Sequence, residues 1–137
     1  MPKFSSRSRA ALDSCDARLV RLFDEVVKRY DCAVLEGRRS KERQAELVRA
    51  GKSKTMNSKH LRDPSMACDV VPYPVDWTRR GQDRMRHFAG YVFGVANQLG
   101  ISGLVWGGDW DGDVFTDKRG MTDQSFYDLP HFELSDE

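Results

Sequence analysis

Apolar residues recur at Leu12, Cys15, Leu19, Leu22, Phe23, Val26, Val27 and Tyr30. Steps of three and four put them on one helix face, so the pattern predicts a helix within residues 8–30. A second stripe, Met85, Phe88, Val92, Val95, Ala96 and Leu99, predicts a helix over 78–99 that Gly100 closes. Between them, SKERQAELVRAG (40–51) offers Ser40 as N-cap, Glu42 in the first turn and Gly51 as the stop of a shorter helix. Four short runs read as strands: CAVLEG (32–37), ACDVVPY (67–73), SGLVWGG (102–108) and HFELS (131–135). Pro72 places the second of these near an edge or a strand end, because it lacks the donor a ladder needs. Residues 52–66 are polar and irregular, and 109–124 form an acidic loop. The elements predict an α+β fold, a small antiparallel sheet with helices packed against it, built as one domain over 1–137.

Composition narrows the class. With 39% hydrophobic and 31% charged residues the chain reads as soluble and globular. No apolar run approaches the ~18 residues of a membrane span, so stable membrane insertion is not expected. MPKFSSRSRAALDSCD lacks the apolar core of a signal peptide, which points to synthesis in a cytoplasm. Cys15, Cys32 and Cys68 are odd in number and irregular in spacing, which suits buried reduced thiols and not a disulfide framework or a zinc pair. The net charge of +1 hides an asymmetry: residues 1–62 hold 16 Lys/Arg against 8 Asp/Glu, and residues 63–137 hold 6 against 13. The basic half suits an anionic polymer or simply solvates its helices. A nucleic-acid partner is disfavoured, because no binding motif is present and the second half is acidic.

The candidate chemistry is sparse. Of the three histidines, His87 lies on the polar flank of the 78–99 stripe and reads as solvent-facing. His60 stands in the irregular segment, where functional groups concentrate. Asp69 interrupts an otherwise apolar strand and needs a partner or a role. His131 shares a strand face with Glu133, and Pro130 sets Asp128 and His131 at the flanks of a tight bend. Two readings follow from spacing alone: three N/O ligands of a metal site with a spare carboxylate, or a surface His, a capping Asp and a half-buried His.

Ser58-x-His60, Ala67-x-Asp69-x-Val-Pro and Asp128-x-x-His131-Phe, with EGRRSKERQ (36–44) and VWGGDW (105–110) in the same order, resemble the zinc metallopeptidases that include D-alanyl-D-alanine carboxypeptidases and phage L-alanyl-D-glutamate endopeptidases. The opening SSRSRAALDSCDARLVRLF is similar to the first helix of the endolysin branch. The resemblance implies Zn²⁺ on His60, Asp69 and His131, with the zinc site at the sheet. It implies Asp128 as general base and Arg39, rather than Arg38, as the group that holds a developing oxyanion. Substrate contacts are implied at Ser58, Gln44 and Trp106. Two departures stand out. The His-to-Asp step is nine residues where the family has seven, with RDPS where the family's Gly would be. The catalytic carboxylate is Asp, as in the endolysin branch, rather than Glu.

The resemblance further implies the peptide stem of peptidoglycan as substrate, cleaved between L-Ala and D-Glu by a monomeric phage-type endolysin during host cell lysis. The enzyme would leave the host bacterial cytoplasm for the wall once the membrane is permeabilised. A D-alanyl-D-alanine carboxypeptidase and a non-catalytic zinc-binding relative are the alternatives. Separately, Asp109, Asp111, Asp113 and Asp117 occupy positions 1, 3, 5 and 9 of an EF-hand-like frame, but Gly112 falls at position 4 and Gly120 at position 12. The loop is read either as solvated or as a Ca²⁺ site.

Overall fold

The computed structural model describes residues 2–53, 55–112 and 127–136. Four strands, β1 (Cys32–Glu36), β2 (Ala67–Pro72), β3 (Leu104–Gly107) and β4 (Asp128–Leu134), form one sheet in the order β1-β2-β4-β3, antiparallel at every pairing. Among the described residues, the helices α1 (Ser6–Asp13), α2 (Ala17–Val27), α3 (Lys41–Arg49) and α4 (Arg79–Gln98) and a 3-10 turn at Lys59–Leu61 complete the α+β architecture.

The strand period of two separates the sheet into a core face and a site face. Val34, Cys68, Val70, Phe132 and Leu134 point into the core and are buried with Leu19, Leu22, Phe23 and Val26 of α2 and Phe88, Ala89 and Val92 of α4. Phe132 anchors the layer, meeting the Phe23 ring edge-on at 5.4 Å and Phe88 at 6.2 Å. Cys68 is fully buried on this face and so points away from Asp69, as strand alternation requires. Asp69, His131 and Glu133 are left on the opposite face.

The apolar stripe of 8–30 is two helices and not one. Asp16 caps α2 by accepting from the Arg18 N–H at 2.9 Å. The intervening backbone is recruited elsewhere: Ser65 N–H donates to Ser14 O at 3.0 Å, and Asp16 N–H donates to Ser65 O at 2.8 Å. Cys15 stays buried through the break, so the stripe continues across it and periodicity cannot register the interruption. The other predicted elements are present to within a few residues. Ser40 caps α3 through the Arg43 N–H, and Pro72 closes β2. The exception is β4, which begins at Asp128 rather than His131 and carries Leu129 and Pro130 as strand residues instead of a tight bend.

Candidate metal centre

β2 and β4 pair with Asp69 directly opposite His131, so two of the three predicted ligands meet through sheet register alone. His60 arrives on the 3-10 turn. Ser58 Oγ caps that turn by accepting from the His60 N–H at 3.2 Å, and the His60 carbonyl accepts from Arg39 N–H at 2.7 Å. Asp69 Oδ1 then lies 3.3 Å from His60 Nε2 and 3.4 Å from His131 Nδ1. One ligand atom from each of the three residues falls within 4.8 Å of the others, the one such group among the described residues.

The nitrogen of each ring turned away from Asp69 is also engaged. His60 Nδ1 is 2.7 Å from the Gly37 carbonyl, and His131 Nε2 is 2.8 Å from Glu133 Oε1. A carbonyl and a carboxylate can only accept, so each outer nitrogen carries a proton, and a cation held between the rings would replace the proton of each inner nitrogen and meet its lone pair. Burial works against ionisation of Asp69, but the paired imidazoles of His131 and His60 outweigh it and hold the carboxyl well below the usual carboxylate range. Burial also opposes protonation of His131, yet Asp69 and Glu133 raise its pKa to about 9. These donors, two imidazoles and one carboxylate with oriented outer nitrogens, match a three-ligand site for a divalent cation.

Gly37 is fixed by close approach. A Cβ there would stand 2.1 Å from the Ala11 carbonyl oxygen and 2.4 Å from Ser14 Oγ. Gly37→Ala is therefore expected to destabilise the fold by about 1–3 kcal/mol through overpacking. It is also expected to weaken metal uptake, because the carbonyl that orients His60 must shift. Thermal unfolding with and without chelator would separate the two effects. An unchanged midpoint in both conditions would contradict the packing account.

Asp128 is brought to the cluster by an irregularity in β4. Trp106 pairs with Phe132 but Gly107 pairs with Asp128, so Leu129, Pro130 and His131 are accommodated between two adjacent residues of β3. Pro130 has no N–H to lose from the ladder, which suits it to this place. Asp128 Oδ2 stands 3.9 Å from His131 Nδ1. Burial and the charge on Asp69 push the Asp128 carboxyl up, while His131, His60 and Arg39 pull it down, the net being a raised value.

Arg39 reaches the same face and Arg38 does not. A second irregularity sets Glu36, rather than Leu35, opposite Asp69. Glu36 Oε1 accepts from Arg39 Nε at 2.9 Å and from Nη2, and Gln44 Oε1 accepts from Nη1 at 2.7 Å. Nη2 is 3.8 Å from Asp69 Oδ2. Arg38 is exposed, with its Nε 3.9 Å from Asp63.

The three predicted substrate contacts divide. Ser58 lines the cleft above the cluster. Gln44 is fully buried and spent on Arg39, Ser53 Oγ and the Thr55 carbonyl, so it holds the arginine and the adjoining loop rather than facing a ligand. Trp106 is 4% exposed and donates its indole N–H to the Leu129 carbonyl at 2.7 Å, which props the β4 irregularity from behind. In their place the cleft, about 1070 Å³, is lined by Trp77, Trp110 and Tyr127. Trp77 is 58% exposed, and the Trp110 ring lies 5.3 Å from His131. Sequence reading missed all three, since an aromatic in a loop carries no periodic signal. His87 is exposed, as expected, and its Nδ1 pairs with the Tyr30 hydroxyl at 3.0 Å.

The chain matches the phage L-alanyl-D-glutamate peptidase family over residues 1–135. It belongs to that family. Among solved structures, it is similar to the Serratia marcescens L-Ala D-Glu endopeptidase ChiX, with 31% sequence identity, 98% of this chain and 91% of that chain covered, and a TM-score of 0.73. A comparison with curated proteins finds no match.

The long step between His60 and Asp69, the main departure from the family pattern, is absorbed by anchoring. Ser65 is fully buried, its Oγ donates to the Ala67 carbonyl at 2.6 Å, and its backbone is tied to Ser14 and Asp16. Arg62 pairs with Asp136 at the far edge of the loop. Ser65 thus anchors the segment on the junction between α1 and α2, while Arg62, Asp63 and Pro64 stay exposed and both ends of the segment reach the cluster. The Ca²⁺ expectation finds no support. Asp109 is buried in the turn after β3, Asp111 is exposed, and neither belongs to a group that could hold a metal among the described residues. Asp113 and Asp117 lie outside the described residues. Among the described residues, no helix is long and apolar enough to cross a membrane.

Proposed function

We propose that this member of the family is a zinc peptidase that hydrolyses the L-alanyl-D-glutamate bond in the peptide stem of peptidoglycan. The observation that carries the proposal is the convergence of His60, Asp69 and His131 with Asp128 beside them, in a chain that matches the peptidase family over residues 1–135. The Serratia endopeptidase, similar over nearly its whole length, supports the same substrate.

His60 Nε2, Asp69 Oδ1 and His131 Nδ1 would hold the cation, which supplies Lewis acidity toward a carbonyl and lowers the pKa of water. Asp128 takes a proton from the attacking water and returns it to the leaving amine. Arg39 places a permanent positive charge beside Asp69. Glu36 and Gln44 use three of its five N–H donors, leaving two for an oxygen that gains charge as the amide carbon becomes tetrahedral. Ser58, Trp77, Trp110 and Tyr127 line the path an extended peptide would follow. The described residues share one core, which supports a single catalytic domain. The role we assign is host cell lysis, with the monomeric enzyme reaching the wall after the membrane is permeabilised.

The test is purified cell wall incubated with the protein, with and without a chelator, and mass spectrometry of the released peptides. New D-glutamyl amino termini that vanish with the chelator are expected. Free D-Ala would instead select a D-alanyl-D-alanine carboxypeptidase. No release by a zinc-loaded protein would overturn the catalytic reading in favour of a non-catalytic relative.

A further inference from the structure

We propose that the Lys59–Glu133 pair is the positioning device of the metal centre, holding His131 in its ligating orientation and tying the His60 turn to β4. The inference rests on the metal reading above and adds two residues to it that do not themselves touch the cation.

Glu133 follows His131 by two residues and so shares its face of β4. Its two oxygens are divided between two partners. Oε1 is 2.8 Å from His131 Nε2, and Oε2 is 3.2 Å from Lys59 Nζ. Lys59 Nζ also donates to the Leu134 carbonyl at 2.8 Å. Because Lys59 immediately precedes His60 in the 3-10 turn, one ammonium joins the segment bearing one candidate ligand to the strand bearing another. Asp69 enters on β2, which is already in register with β4. The His60 turn has no ladder to hold it against β4. Lys59 supplies that connection.

Depth argues for orientation over stability. Both side chains are only 19% exposed. An ion pair withdrawn from water this far recovers little net folding energy, because desolvation offsets the attraction. What the pair supplies is direction. A carboxylate on Nε2 fixes the plane of the imidazole, keeps the proton on the outer nitrogen and makes Nδ1 a stronger donor toward the centre. Lys59 in turn neutralises Glu133, which would otherwise add a third negative charge close to those of Asp69 and Asp128.

The test is zinc affinity, measured by competition with a chromophoric chelator, on the full chain and on Glu133→Ala, Glu133→Gln and Lys59→Ala. Glu133→Ala is expected to bind zinc about 10–100-fold more weakly, the usual cost of removing the partner of a ligating histidine. Glu133→Gln should fall between it and wild type, because an amide oxygen still accepts from Nε2–H without the charge. Lys59→Ala should weaken binding less than Glu133→Ala. The double variant should be no worse than Glu133→Ala by much, since the two residues act as one unit. Cobalt substitution gives a second readout, with an altered visible absorption band in Glu133→Gln. Thermal unfolding of the chelator-treated proteins controls for packing: a lowered midpoint with unchanged zinc affinity in both Glu133 variants would overturn the proposal and leave the pair as ordinary structure. If Glu133→Ala does not fold, the near-isosteric Glu133→Gln carries the test alone. An unmodified chain that takes up no zinc would overturn this inference and the metal reading together. Tight uptake by the unmodified chain and equally tight uptake by the Glu133 variants would overturn this inference only.

Discussion

Replacing His131 by Ala is expected to abolish both metal uptake and peptide hydrolysis. The substitution removes one of three donors and leaves His60 and Asp69, too few to hold the cation against water in a catalytic site. It also strips Asp69 of one of the two imidazoles that keep it ionised, and leaves Glu133 Oε1 without its partner at 2.8 Å. The Trp110 ring, 5.3 Å from that of His131, loses its neighbour as well. Metal content by elemental analysis and release of stem peptides from purified wall would both fall to background. Wild-type protein stripped by chelator provides the comparison, inactive with every side chain in place. A His131→Ala protein that retains a full equivalent of zinc would remove His131 from the ligand set and require a different centre.

Replacing Asp128 by Ala is expected to separate the two properties. Asp128 Oδ2 is 3.9 Å from His131 Nδ1, close enough to share the centre yet outside the group of three whose atoms converge. Metal content should therefore stay at the wild-type level. Hydrolysis should fall by about 10²–10⁴-fold, the contribution of a positioned general base. Asp128→Asn keeps the volume and should behave alike, which shows that the lost function is proton transfer and not packing. Normal turnover by either variant would assign the base elsewhere. Among the described residues of the cleft, Glu36 is committed to Arg39 and Glu133 to His131 and Lys59.

The sequence by itself determined the element types and the α+β class, which follow from local pattern: three-and-four spacing marks a helix face and alternation marks a strand. Spacing left His60, Asp69 and His131 open between a metal site and a bland reading, and their choice as candidate ligands came from the resemblance of their motifs to the peptidase family. What the sequence could not determine was anything that depends on partners remote in the chain. The break at residues 14–16 exists because Ser65, some fifty positions away, binds the backbone there, and the stripe survives the break unchanged. Gln44 and Trp106 read as substrate contacts but stand behind the cleft, since a motif gives a residue's type and not the side of the wall it supports. Asp128 reaches His131 along an irregular strand and not around a bend, because the mismatch lies in pairing with β3. Lys59 and Glu133 stand 74 positions apart, and only the register of β4 against the 3-10 turn makes them a pair. Local propensity acts over a few residues, so a single chain can show it directly. Which faces meet, and which charges are held together out of water, is decided when the sheet assembles.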